Sequence, residues 1–201
     1  MDLNKILQSI KEILEKIKKA IQQISNQPPV QPPPSPSEPQ PQNDYESFRA
    51  ALRQSESSGN YQVVNSLGYM GAYQFGMARL CDFGLTKRKP GTTGWTNDCF
   101  EWIPPHTREE FLNSPAMQDD IFKKHVIGLM KYIKQNFSQY FNQTVGGIVV
   151  TLSGLVAGAH IGGYGGLKKF LEAGQNPTDA YGGSVAGYIR KFAGYNLDGL
   201  A

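Results

Sequence analysis

The residues best suited to chemistry lie between positions 55 and 76, which read SESSGNYQVVNSLGYMGAYQFG. Glu56 stands among Ser55, Ser57 and Ser58, just before the turn pair Gly59-Asn60. A carboxyl at the end of a helix can point into a cleft while aromatic neighbours keep water off it. That is the setting in which a carboxylic acid holds its proton and serves as a general acid. Gly68, Gly71 and Gly76 would let the backbone approach a bulky ligand closely. Gln74 and Asn65 carry amides suited to sugar hydroxyls and acetamido groups. Tyr61, Tyr69 and Tyr73 offer flat faces for sugar rings. Further along, Gly91 to Pro105 reads GTTGWTNDCFEWIPP. It is expected to be a loop bordering the cleft, with Trp95, Phe100 and Trp102 either stacking on sugars or packing the loop down.

Other chemistries have little support. Cys81 and Cys99 are too few for a disulfide-dense scaffold or a four-ligand zinc site. Bonded to each other, they would close a loop of about 18 residues, worth roughly 3 kcal/mol, and free thiols are the competing expectation. His106, His125 and His160 are too far apart for an HExxH-type motif, so neither a metal nor a cofactor is expected. His106 and His125 read as structural or surface residues. The net charge is +3 with scattered basic residues, which gives a nucleic-acid partner no footing. The most apolar stretch, Val145 to Ile161, is broken by Gly146, Gly147, Thr151, Ser153, Gly154, Gly158 and His160. It reads as a buried helix and not as an integral membrane segment.

Three parts must position this chemistry. In residues 1–25, apolar residues recur at Leu3, Ile6, Ile10, Ile13, Ile17, Ala20 and Ile24. These alternating steps of 3 and 4 form a heptad seam, flanked by Leu7, Leu14 and Ile21. Over 22 residues the helix would be about 33 Å long. Isoleucine at both seam positions leans towards three or four strands. The segment is therefore expected to self-associate, with a trimer favoured, or to dock through residues 3–24 into a larger helical assembly. Folding back onto the chain and lying on a membrane surface are the alternatives. Residues 26–43 hold eight of the 13 prolines. They should form an extended polyproline spacer of up to about 55 Å. Residues 44–201 form a domain large enough for its own core.

That domain reads as mainly helical. Helices are expected over Asp44 to Ser57, Tyr73 to Phe83, Pro115 to about Tyr140, Thr144 to Ala159, Gly165 to Ala173 and Ser184 to Phe192. Ser114-Pro115 is a helix start, with Ser as N-cap and Pro at the first helical position. The stretch from Thr144 to Ala159 is apolar nearly all round, which marks the central helix.

The ESSG at 56–59 and the GYMGAYQFG at 68–76 resemble the first two motifs of the lysozyme-like lytic transglycosylases, which are related to goose-type lysozymes. The family's motifs are a catalytic Glu followed by Ser and then a glycine-rich turn ending in Gln. At its third motif, Ala-Tyr-Asn-x-Gly, this chain has AHIGG at 159–163. Tyr188 in VAGYIRKF fits the Tyr on the family's last helix. The resemblance covers nearly all of residues 44–201 and implies a lysozyme-like fold. It also implies Glu56 as the catalytic acid, with Ser57, Asn65, Tyr69, Gly71, Tyr73, Gln74, Trp95, His160 and Tyr188 as candidate substrate contacts.

The implied substrate is the peptidoglycan glycan strand. Glu56 would protonate the bond between N-acetylmuramic acid and N-acetylglucosamine, then take a proton from the muramic 6-hydroxyl, giving a 1,6-anhydro end without water. One carboxylate suffices there, whereas ordinary glycosidases need a pair. A true hydrolase would need a second carboxylate, with Asp82, Asp98 and Glu101 as candidates. A non-catalytic wall-binding module is the alternative of another class. The N-terminus lacks the pattern of an export signal. Synthesis in the bacterial cytoplasm and action in the periplasm or at the wall are therefore expected. The helix would tether the enzyme to a phage virion or a tail-like injection machine, through a tail or baseplate protein; a released endolysin is the second option.

Overall fold

The computed structural model describes residues 44–200 and, in the N-terminal segment, Leu14, Glu15, Lys16 and Lys18. The chain divides into two units, residues 1–39 and 40–201. In the first, Leu14–Lys16 is helical, Leu14 is half exposed, and Lys18 Nζ donates to Glu15 at 3.0 Å. The rest of the expected seam helix and the proline-rich spacer lie outside the described residues.

The second unit is mainly helical. Helix α1 spans Tyr45–Ser57. Asp44 caps it, accepting from the Ser47 N–H at 3.1 Å, which satisfies one of the donors every helix start leaves unpaired. Phe48 and Leu52, four residues apart, share its buried face. Ser58 ends it in the left-handed region, returning its N–H to the carbonyls of Arg53 and Gln54.

Tyr73 to Phe83 is not one helix. Only Met77–Cys81 is helical, as α2. The preceding residues close a tight hairpin: Met70 and Phe75 exchange backbone hydrogen bonds at 3.0 and 2.9 Å. Gly71 and Gln74 hold the turn at φ 77° and 50°, where a right-handed helix cannot continue. The segment Gly91 to Pro105 is not simply a loop either. Strands β1 (Thr86–Arg88) and β2 (Phe100–Trp102) pair antiparallel, with Lys87 opposite Glu101. Phe100 is buried, and Trp102 lies 6.1 Å from the ring of Phe111. Those two aromatics therefore pack the segment down, whereas Trp95 stays 76% exposed.

Helix α3 (Arg108–Leu112) carries a full capping box between Thr107 and Glu110. Helix α4 (Pro115–Asn136) starts at Ser114, as expected from the Ser-Pro pair, and buries Ile121, Phe122, His125, Val126, Leu129 and Ile133. It stops at Asn136, before a short turn at Ser138–Tyr140.

The expected helix over Thr144 to Ala159 begins later. Thr144–Val145 and Ile148–Val149 form a two-residue hairpin, β3 and β4, around Gly146-Gly147 at φ 56° and 74°. Two successive positive φ angles suit this turn and require glycine; Gly-Gly between β-branched residues was the signal for it. Helix α5 then runs over Leu152–Ala173, capped by Thr151 and kinked at Gly163, where φ is 64°. The non-helical angles at Gly163 divide it into two helical pieces, so the break expected between Ala159 and Gly165 falls at Gly163. Helix α6 (Val185–Lys191) is capped by Ser184.

Helix α5 is the centre of the domain, with Ser153 to Ala159 buried without a break. A β-carbon on Gly154 would lie 2.5 Å from the carbonyl oxygen of Ile189, and one on Gly158 2.8 Å from the Ile189 side chain. Glycine at these positions lets α6 lie directly against α5. Phe122 forms the aromatic centre, stacked on Tyr73 at 4.0 Å with Phe48 and Tyr45 beyond it. No described helix is long and apolar enough to cross a membrane.

Candidate functional site

Glu56 is in the last turn of α1. Its carboxyl faces a cleft of about 700 Å³ lined by Ser55, Asn65, Tyr69, Gln74, His160 and Tyr188, among others. A second hollow of about 350 Å³ adjoins it, lined by Arg79, Asp82, Trp95, His125 and Tyr164, among others. Tyr69, Gln74 and His160 line both. They divide one groove into two parts.

The Glu56 side chain is only 13% exposed. Its Oε1 accepts from the Tyr188 hydroxyl at 2.8 Å, and His160 Nε2 stands 3.8 Å from the same oxygen. Burial, and then the neighbouring Glu56 charge, raise the Tyr188 phenol far above its ordinary value. It therefore stays protonated and donates. α1 supplies the acid, α5 the imidazole and α6 the phenol. The glycine stripe of α5 brings α6 close enough for the last.

Behind His160 lies a row of polar groups that leads away from the cleft. His160 Nδ1 is 3.0 Å from His125 Nε2, and Arg79 Nε donates to His125 Nδ1 at 2.8 Å. Arg79 Nη1 also pairs with Asp82 at 2.7 Å. Burial holds both histidines below the ordinary imidazole value. For His125 the shift is large, and His160 and Arg79 add to it. For His160, Glu56 and the Tyr73 backbone carbonyl pull the other way. The two rings are thus neutral in the folded protein, and this has a consequence for stability. A depressed folded-state value means that the unfolded chain binds protons first as pH falls. The contribution is complete above about pH 6.5 and is lost progressively below it, at up to about 1.4 kcal/mol per pH unit for each histidine. The melting temperature should fall between pH 6.5 and 5.5. A flat profile across that window in a thermal scan would show that these rings are not buried neutral.

The structure brings together Glu56, Asn65, Tyr69, Gln74, His160 and Tyr188 in the cleft, and Trp95 in the adjoining hollow. Asn65 Oδ1 accepts from the N–H groups of Leu67 and Tyr69, so it shapes the loop as well as lining it. Gln74 holds a left-handed conformation and donates from Nε2 to the Gly71 carbonyl at 3.0 Å. A non-glycine residue there costs about 1 kcal/mol or more. Arg88 lies 4.5 Å over the ring of Trp95.

Four expected contacts lie elsewhere. Tyr73 is fully buried, stacked on Phe122, with its hydroxyl donating to Asp119 at 2.5 Å. It offers no face to a sugar, because its large apolar ring fills the core. Tyr61 also spends its hydroxyl on Asp119, at 2.9 Å. Ser57 turns inward, and its hydroxyl donates to the carbonyls of Arg53 and Ala72; Ser55 lines the cleft instead. Gly71 is a glycine because a β-carbon would lie 2.3 Å from Gln118 Oε1. It serves packing and not ligand approach.

The candidate second carboxylates are also dispersed. Asp82 pairs with Arg79 beside the second hollow, and Glu101 faces Lys87 on the hairpin at 3.3 Å. Asp98 lies in the short turn before β2. Among the described residues, the one other carboxylate lining the Glu56 cleft is Asp179. Its Oδ1 accepts from the N–H groups of Tyr181 and Gly183 at 2.9 and 2.7 Å. Asp179 sits in PTDAYGGS, a stretch that reads as an ordinary turn, so nothing local marks it. Tyr181, 60% exposed, hydrogen-bonds Ser66 across the cleft loops at 2.7 Å. Cys81 and Cys99 are free thiols. Among the described residues, no group of three or more His, Cys, Asp or Glu side chains is placed to hold a metal ion. Comparisons with family models, curated proteins and solved structures give no match for this chain.

Proposed function

We propose that residues 44–201 form a lysozyme-like domain that cleaves the β-1,4 bond between N-acetylmuramic acid and N-acetylglucosamine in peptidoglycan. The observation that carries this reading is the Glu56 carboxyl. It is nearly buried at the wall of an open cleft, held by the Tyr188 hydroxyl. Exposed Tyr69, Tyr181 and Trp95 lie along the groove. Flat aromatic faces with an apolar body and a polar tip suit sugar rings.

In this mechanism Glu56 gives its proton to the glycosidic oxygen. The C1–O bond breaks, and its electron pair stays with the departing N-acetylglucosamine oxygen. The carboxylate then takes the proton of the muramic 6-hydroxyl as that oxygen bonds to C1. Glu56 ends as it began, and no water enters. Acid and base are one group in turn, each role worth about 10² to 10⁴ in rate.

A second reading rests on Asp179. A carboxylate fixed by two backbone N–H groups in the same cleft could activate a water, making the enzyme a hydrolase that uses two carboxylates. Mass spectrometry of fragments released from purified peptidoglycan separates the readings. Fragments ending in 1,6-anhydro-muramic acid, one water lighter than hydrolysis products, are the expected result. Reducing ends would transfer the role of base to Asp179. Binding without products would leave a wall-binding module.

The heptad seam in residues 3–24 and the proline-rich stretch 26–43 support a tethered enzyme. We take the seam to join copies of the chain, as a trimer, or to dock on a tail or baseplate protein of a virion or injection machine. The spacer would let the domain reach the wall.

A further inference from the structure

We infer that Arg79 and His125 set the tautomer of His160, so that its Nε2–H is the hydrogen-bond donor waiting for Glu56 once that residue has become a carboxylate. The inference rests on Glu56 being the acid of the reading above.

The argument follows from donors and acceptors. A guanidinium has only N–H donors and does not lose its charge in proteins. Arg79 Nε donates to His125 Nδ1 at 2.8 Å, so that nitrogen must present a lone pair. A neutral imidazole carries one N–H. The proton of His125 is therefore on Nε2, which lies 3.0 Å from His160 Nδ1. His160 Nδ1 must accept in its turn, which places the proton of His160 on Nε2. That is the nitrogen 3.8 Å from Glu56 Oε1. The hydrogen bond on one ring nitrogen decides the state of the other, here through two rings in succession.

The groups facing this row are Glu56 on α1, Asp82 beside Arg79, and Tyr188 on α6; the Tyr73 backbone carbonyl also accepts from His160, and with the proton on Nε2 it is the acceptor that Glu56 joins once ionised. The rings of Phe75 and Phe122 pack edge-on against His160 at 6.1 and 6.0 Å, which fixes its plane. At 3.8 Å the Glu56 contact is longer than a hydrogen bond. Closing it requires the Glu56 side chain to move toward His160. When Glu56 has given up its proton, Tyr188 and His160 then both donate to the carboxylate, and neither can remove the acid proton beforehand. The opposite tautomer would turn a lone pair toward Glu56 and compete for that proton. His160 acts as a donor of fixed polarity, and Arg79, which binds His125, acts as a positioning residue through two histidines.

The test is nitrogen-15 NMR of the full chain with labelled histidine at pH 7.5, which reports the protonated nitrogen of each ring. His125 and His160 should both show the Nε2–H form. Arg79→Met keeps an unbranched apolar stem and removes the donor. It should give mixed tautomers at both rings. It should also lower kcat for glycan release about tenfold or more, with KM little changed. An Nδ1–H form of His160 in the native protein overturns the inference, whatever the activity. So does an Arg79→Met protein whose tautomers are unchanged. Failure of the enzymatic reading looks different: the native tautomers stand while no glycan is released.

Discussion

Replacing Glu56 with Gln is expected to lower glycan release by about 10³-fold or more while the domain stays folded. An amide has the shape of the carboxyl, and its oxygen can still accept from the Tyr188 hydroxyl, which now stands 2.8 Å from Oε1. What it cannot do is give up a proton and take it back. Both halves of the proposed cycle are lost together, and each is typically worth about 10² to 10⁴. The change removes no packing, so the melting temperature should stay within about 2 °C, as for an isosteric substitution worth under about 0.5 kcal/mol. Binding to insoluble peptidoglycan should survive. Turbidity clearance and released-fragment assays on Glu56→Gln check this directly. Undiminished lysis would remove Glu56 from the mechanism and leave Asp179 as the carboxylate to examine.

Phe122→Ala should be the most destabilising single change on the α4 face beneath the site. The side chain is fully buried. It stacks on Tyr73 at 4.0 Å and meets Tyr45, Phe48, His125 and His160 within 6.4 Å. Removing a ring from such a place costs about 3–5 kcal/mol, the transfer term plus the cavity term. That is a large part of the 5–15 kcal/mol of a typical domain. The melting temperature should fall by about 10 °C. Activity should fall well below that temperature as well, because Tyr73 and His160 both rest on this ring. Phe122→Leu fills much of the space and should cost distinctly less. A loss below about 1 kcal/mol by denaturant titration would mean that the aromatic centre is not where the stability resides.

Local chemistry was enough to recover much of the frame. Asp44, Ser114, Thr151 and Ser184 cap helices through their own side chains. Capping depends on residues within one turn, so the starts at Asp44, Ser114 and Ser184 could be read from sequence, whereas the start expected at Thr144 falls in the β3–β4 hairpin and the helix begins after Thr151. The mainly helical class follows from apolar spacing, which is equally local. Glu56 could be singled out because its serines and glycine are its neighbours in the chain. Short elements were harder. Periodicity over Tyr73 to Phe83 looks helical, yet Gly71 and Gln74 take left-handed angles. The Met70–Phe75 pairing and the packing of Gly71 on Gln118 override the pattern.

What the sequence by itself determined is the helix starts at Asp44, Ser114 and Ser184 and the polar and aromatic inventory of residues 55–76, Glu56 included. Each depends on interactions between residues a few positions apart. Only the tertiary structure decided which of those side chains face the cleft. Tyr73 and Tyr69 are alike in type and four residues apart, but one fills the core and the other lines the groove. The same holds for the row from Arg79 to Glu56. Its members come from α2, α4, α5 and α1, and His125 and His160 meet beside Phe122, whose ring packs against both. Burial then makes both histidines neutral. Contacts between residues 35 to 104 positions apart leave no trace in local spacing, because the chain's separation along the sequence says nothing of its distance in space until the core has packed.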